Sequence, residues 1–278
     1  MDWIHALILG IVEGITEFLP ISSTGHVTIL SSLMGYKIDD PGITAFTAVI
    51  QIGAIIAAIL YFRKDIVRIV RAWVKGIFNK KERTSLDYRF GWAVIIGSIP
   101  IAVVGFVFRH QIETVFRSLW VVAIALIVWS AVMWYADTHA SQKKKEKDVG
   151  WRDTLAIGLA QCLALIPGVS RSGATASVGL LRGFDRVTAT RLAFFLGIPA
   201  LLAAGAYQAY SEFDNISTTV GWTPTIIGMV ASLVVGYWAV AWLISFISRH
   251  SYQLFVWYRV ALGLVLIVLL STNTIAAV

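Results

Sequence analysis

Six stretches of this chain, residues 44–62, 91–108, 118–136, 188–207, 222–247 and 252–272, are apolar over lengths that approach or exceed the ~20 residues a helix needs to cross a bilayer. Lipid offers no hydrogen bonds to a backbone, so such segments must be helices or the strands of a closed barrel. The chain lacks the sustained apolar-polar alternation of a barrel. With 58% hydrophobic and only 14% charged residues, it is far from a soluble domain, where about a quarter are charged. The fold class is an all-α polytopic membrane protein with six transmembrane helices. The N-terminus has no basic run, and Glu13 and Glu17 interrupt the apolar segment that a cleavable signal would need. The single cysteine, Cys162, excludes an intrachain disulfide or a cysteine metal cluster and reads as a small packing residue.

The net charge of +7 is concentrated in two loops, Arg63 to Arg89 and Lys143 to Arg152. In a membrane protein, basic loops mark the cytoplasmic side and lie against anionic headgroups. Nucleic acid is therefore not an expected partner, and membrane lipids are. With those loops inside, 44–62 runs inward, 91–108 and 118–136 go out and return, and the Ser211–Gly221 loop lies outside. Arg249 and His250 then lie inside, and the C-terminus outside. Two apolar stretches remain: Trp3–Leu19 continuing to about Leu33, and Leu155–Ile166 continuing to about Leu181. At ~1.5 Å per residue, Leu155–Ile166 reaches only about 18 Å, which suits a re-entrant segment. Arg152, Arg182 and Arg186 place both ends of the second stretch inside. Asp2, Asp39 and Asp40, with Lys37 alone opposing, place both ends of the first outside. Adding 148 to the numbers of the first takes Leu7 to Leu155, Gly10 to Gly158, Glu13 to Gln161, Ser22 to Ser170, Gly25 to Gly173, Leu33 to Leu181 and Gly35 to Gly183. The expectation is two helix-break-helix hairpins dipping from opposite faces in an inverted repeat. One integral membrane domain, 1–278, would comprise halves at about 1–136 and 151–272, joined by a basic cytoplasmic loop at 137–150. Such folds place their site where the broken helices meet.

The breaks carry the chemistry. Glu13 and Glu17 share one helical face. Close together in a poorly hydrated place, they call for a proton or a cation between them, and a hard divalent ion is commonly held by one or two carboxylates plus substrate phosphate. After Pro20 come Ser22, Ser23, Thr24, Gly25 and His26. Ser22 or Ser23 is a helix N-cap, and the same helix start points free N–H groups at whatever fills the gap. His26 is either a structural hydrogen-bonder or a proton-handling group. In the second break, the Arg171 fork suits phosphate oxygens, with Ser170, Ser172, Gly173 and Thr175 around it; the alternative is an ion pair between Arg171 and Glu13 or Glu17. Gln51, in the first span, either lines the site or bonds a neighbouring helix. The sum is an anion site with a carboxylate-held cation, fitted to phosphoryl transfer on a lipid-tethered phosphate.

Glu13-Gly-Ile-Thr-Glu17-Phe-Leu-Pro-Ile-Ser-Ser-Thr-Gly-His26 and Pro167-Gly-Val-Ser-Arg-Ser-Gly-Ala-Thr175 resemble the two signatures of the bacterial undecaprenyl-diphosphate phosphatases, the bacitracin-resistance family. The resemblance extends over essentially the whole chain. It implies a multi-pass enzyme of the bacterial cell membrane, its site opening to the outer face. The enzyme would hydrolyse undecaprenyl diphosphate to the monophosphate and inorganic phosphate, recycling the lipid carrier of cell-wall synthesis. It implies dependence on a divalent cation, Mg²⁺ or Ca²⁺. Carried over residue by residue, Glu13 and Glu17 would serve metal and acid–base roles. Ser23 or His26 would be the nucleophile or its activator, with Ser22 beside them. Ser170, Arg171, Ser172 and Thr175 would hold the diphosphate. The attacking group is Ser23 activated by Glu17 or His26, His26 itself, or a metal-bound water, with Ser23 favoured. Thr24, Gly25, Gly173 and Gln51 are further candidates for substrate contact. The rival class is an inverted-repeat transporter or flippase of polyprenyl phosphate. A homo-oligomer is compatible with either.

Overall fold

In a computed structural model, which describes residues 1–108 and 118–277, every expected span is a helix. These are α3 (Pro41–Tyr61), α5 (Leu86–Val107), α6 (Leu119–His139), α9 (Arg186–Ser211), α10 (Trp222–Ile247) and α11 (Gln253–Ser271), each long and apolar enough to cross a membrane. The remaining principal helices are α1 (Trp3–Thr16), α2 (Ser23–Leu33), α4 (Arg63–Phe78), α7 (Trp151–Cys162) and α8 (Arg171–Leu181). No strand occurs among the described residues, only an isolated bridge between Lys144 and Phe184. The turn expected outside between α5 and α6 lies outside the described residues.

The helices start where the side chains dictate. Asp40 accepts from the Ile43 N–H (3.0 Å) ahead of Pro41, whose missing N–H costs nothing at a first helical position. Asp185 caps α9 through the Thr188 N–H (2.7 Å). Two expectations need correction. The basic stretch 63–90 is not an open loop: Ile66, Ile69, Trp73 and Gly76 recur at helical spacing beneath the charges, and α4 forms on that face. Ser211–Gly221 is also mostly wound, as a short α-turn (Phe213–Asn215) and a π-turn (Ile216–Val220) ending at Gly221, φ 88°.

Small residues set how closely the helices approach. A Cβ on Gly10 would lie 2.2 Å from the Gly228 carbonyl oxygen, one on Gly53 2.0 Å from that of Met229, and one on Gly158 2.0 Å from that of Gly97. Backbones therefore touch between α1 and α10, α3 and α10, and α5 and α7, the packing mode that membrane bundles use where hydrophobic burial gives no drive. The same contacts give direction. Gly10 meets Gly228 and Gly14 meets Ser232, so α1 and α10 run the same way. Phe62 meets Phe194 and Phe195 while Gly205 meets Ile52 and Ala48, so α3 and α9 run opposite ways.

The two helix pairs α1–α2 and α7–α8 share a local design. Ser22 and Ser170, 148 residues apart, both adopt φ 74°, a left-handed value costly for a residue with a Cβ. Each hydroxyl accepts the N–H of the glycine three residues on, Gly25 at 3.3 Å and Gly173 at 3.2 Å. The following helices, Ser23–Leu33 and Arg171–Leu181, are 11 residues each and end before left-handed Gly35 and Gly183.

Candidate active site

The two breaks line one cavity of about 280 Å³. Glu17, at the C-terminal end of α1, is buried and uses both carboxylate oxygens. Oε2 accepts from the Ser23 hydroxyl (2.6 Å) and the Gln51 amide (2.8 Å), and Oε1 accepts from Arg171 Nη2 (3.0 Å). Arg171, the first residue of α8, also donates Nη1 to the Ala193 carbonyl (2.7 Å), while its Nε–H is buried with no partner. The guanidinium fits because position 197 is glycine: a Cβ there would lie 2.0 Å from Arg171 Nη1. Glu13 sits one turn behind Glu17, buried, with Oε1 unpartnered among the described residues. The second break is braced against the first by Ser172, whose hydroxyl donates to the Leu19 carbonyl (3.0 Å).

Of the residues singled out from sequence, Glu17, Ser22, Ser23, Thr24, Gln51, Ser170 and Arg171 line the cavity. The others stand behind its wall. Gly25 and Gly173 give their N–H groups to the caps. Fully buried Thr175 donates to the Arg171 carbonyl (2.7 Å). His26 donates Nδ1–H to the Ser22 carbonyl (2.7 Å), which leaves Nε2 of the neutral ring to accept from the Tyr258 hydroxyl (2.7 Å) over a stacked pair of rings.

Two polar stripes lead away from Glu17. Thr24, Thr28 and Ser31 lie along one face of α2, and Thr44, Thr47 and Gln51 along one face of α3. Across the cavity the wall is apolar: Ile101 of α5, Ala164 and Leu165 of the second break, and Leu201 and Ala204 of α9.

Sequence reasoning missed Arg259. It is fully buried on α11 and donates to carbonyls of both breaks: Pro20 (3.2 Å) in the first, Gly168 (2.9 Å) and Val169 (3.1 Å) in the second. Ser130 Oγ (3.1 Å) takes its Nε–H. The signal was present, a lone ionisable residue in the apolar run Phe255–Leu270, and such residues are functional candidates by default. Gly197 gave no such signal, because a glycine in a span looks like any helix-contact glycine.

Fold and site together define a multi-pass helical membrane protein whose cavity pairs a carboxylate and a guanidinium with serine hydroxyls at two helix starts. The family model described as bacitracin resistance protein BacA matches residues 6–265, and the chain belongs to that family. It is similar to undecaprenyl-diphosphatase 3 of Frankia casuarinae (58% identical) and to an undecaprenyl-diphosphatase of Cutibacterium acnes (56%), each over the full length of both chains. It is also similar to undecaprenyl-diphosphatase 1 of Streptomyces avermitilis (50% over 98% of each chain).

Proposed function

We propose that this chain hydrolyses undecaprenyl diphosphate to undecaprenyl phosphate and inorganic phosphate, returning the lipid carrier to envelope synthesis in the bacterial cell membrane and giving bacitracin resistance. The observation that carries the mechanism is the 2.6 Å hydrogen bond from Ser23 Oγ to Glu17 Oε2, made on the wall of a cavity that Arg171 also lines. Nucleophile and base lie within transfer distance. Ser23 Oγ attacks the distal phosphorus and Glu17 takes its proton. The bond from that phosphorus to the bridging oxygen breaks, and undecaprenyl phosphate leaves with the bridging oxygen and the proton that Glu17 took up, which restores the Glu17 carboxylate. Water, deprotonated by Glu17, then releases phosphate from Ser23. Arg171 offers the phosphate its unpartnered Nε–H and its remaining Nη hydrogens, and α2 and α8 both begin at residues that line the same gap.

The donors present fit a divalent cation, Mg²⁺ or Ca²⁺, only as an ion shared with the substrate. No group of three or more His, Cys, Asp or Glu residues able to hold a metal occurs among the described residues. Yet Glu13 Oε1 is buried and unpartnered beside Glu17, and two carboxylates plus phosphate oxygens are an ordinary Mg²⁺ environment. Glu13 and Glu17 would hold the ion, which when bound neutralises diphosphate charge.

The hydroxyl stripes of α2 and α3 suit the headgroup and water, and the apolar wall suits the prenyl chain. Helix directions support an inverted repeat of two re-entrant hairpins. The α1–α2 pair enters alongside α3 and the α7–α8 pair alongside α9, and these spans are antiparallel. With the basic loops inside, the N-terminal end of α3, where Thr44 lines the cavity, lies on the outer side. The test is phosphate release from a polyprenyl diphosphate by the purified protein with Mg²⁺ or Ca²⁺, abolished by EDTA. Ser23→Ala, Glu17→Ala and Arg171→Ala are each expected to lower turnover by at least ~100-fold. Near-normal turnover of Ser23→Ala would remove the serine as nucleophile.

A further inference from the structure

The helix α4 presents three faces, and one packs its side chains into the protein. On that face Ile69 and Gly76 are buried. A Cβ on Gly76 would lie 2.3 Å from the Tyr88 ring, and Trp73 packs edge-on against Trp92 at 5.6 Å. Arg83 fixes the far end by donating to the carbonyls of Gly76 (2.8 Å) and Ile77 (3.2 Å). The helix is therefore held against rolling, and what its other faces display is set by the fold. One is apolar and exposed: Val67, Val70, Val74 and Ile77, closed by Phe78, which is 85% exposed. The other is basic: Lys64, Arg68, Arg71 and Lys75 line a groove with Glu82 and Asp87. Asp65 and Asp87 pair with Arg68. Among the described residues Lys64, Arg71 and Lys75 have no ion-pair or side-chain hydrogen-bond partner.

We propose that α4 is a binding site for anionic phospholipid of the cytoplasmic leaflet, with acyl chains against Val67, Val70, Val74 and Ile77 and the headgroup phosphate on Lys64, Arg71 and Lys75. Charge and polarity commit the occupant. A basic face adjoining an exposed apolar one matches a molecule that is anionic at one end and apolar along the rest, as for helices lying in a membrane interface. The apolar face also continues the outward side chains of α5, Trp92, Ile95 and Ile99, themselves exposed. The basic loops place this end of the molecule at the negatively charged leaflet.

Purified full-length protein is mixed with equal phosphatidylglycerol and phosphatidylcholine and its bound lipids are counted by native mass spectrometry. The wild type is expected to favour phosphatidylglycerol, the preference falling as NaCl rises. The triple variant Lys64→Gln, Arg71→Gln, Lys75→Gln is expected to lose at least about fivefold of that preference. An unchanged preference overturns the proposal. So does a change in oligomer size by light scattering with lipid binding unaltered, which would make the face a contact between copies. A second arm does not depend on the triple variant folding. In a Cys162→Ser background reconstituted with phosphatidylglycerol, Val74→Cys should resist a water-soluble maleimide that labels Lys147→Cys. Equal labelling of the two sites puts the apolar face in water and sinks the idea.

Discussion

Glu17 holds three partners at once, and the arrangement is self-limiting: each donor that leaves raises the demand on the others. Gln51 and Ser23 share Oε2, so replacing Gln51 with Leu leaves Oε2 to Ser23 alone and removes a donor that steadies the carboxylate. Gln51→Leu is expected to lower kcat by about tenfold with little change in KM, as loss of a positioning group does; an unchanged kcat would show that Ser23 alone orients Glu17. Gly197 gives a sharper test because it carries no functional group. Its Cβ position is occupied by Arg171 Nη1, so Gly197→Ala must displace the guanidinium from Glu17 and Ala193. Phosphate release should fall at least ~10-fold, and a fully active variant would show that Arg171 need not sit where it does. Glu17, Ser23 and Arg171 were legible in the sequence because polar side chains in apolar runs have few explanations. Gly197 and the Tyr258 hydroxyl were not, since their roles exist only after distant segments meet. His26 shows the opposite limit: its motif position is plain, yet its partners, the Ser22 carbonyl and Tyr258, come from cap geometry and from α11.

The helices are legible for a different reason. Six spans follow from length and hydropathy alone, and the hairpin breaks from proline, glycine and serine at matched spacing. What escaped was α4, whose apolar residues were hidden among six basic or acidic ones, and the winding of Ser211–Gly221. Helix separation rests on glycine, and this is testable away from the site. Gly53→Ala would bring a methyl to 2.0 Å from the Met229 carbonyl and should destabilise the fold by about 1–3 kcal/mol, as overpacking does, read as a lowered thermal midpoint in detergent. Gly105→Ala, whose nearest neighbour is a Leu165 methyl at 4.0 Å, is the matched control and should be close to neutral. Equal midpoints for the two would mean that α3 and α10 separate without penalty.

The basic ends of the bundle are tied by charge. Arg191 of α9 pairs with Asp65 of α4 and Glu146 of the central loop, Arg186 pairs with Asp137, and Lys145 pairs with Asp185. Burial alone would raise the Asp185 carboxyl, but its hydrogen bonds to Lys145 and Thr188 outweigh that and hold it below the ordinary carboxylate value. A lowered folded-state value adds stability that is present above the unfolded value of about 3.9 and lost as pH falls through the folded one. The midpoint difference between wild type and Asp185→Asn should therefore be largest near neutrality and shrink as pH falls below about 3.9; a difference independent of pH would exclude the charge. A cysteine at Lys145 should react with an impermeant reagent only from the inner side of oriented vesicles. Arg259 bears on the rival idea of a carrier. Transport by rocking one half past the other demands that the two bent segments part company, and one side chain is bolted to the main chain of both. Each cycle would have to strip a buried guanidinium of its bond to Pro20 or of those to Gly168 and Val169. Arg259 is thus a clasp that keeps the two jaws shut on one cavity.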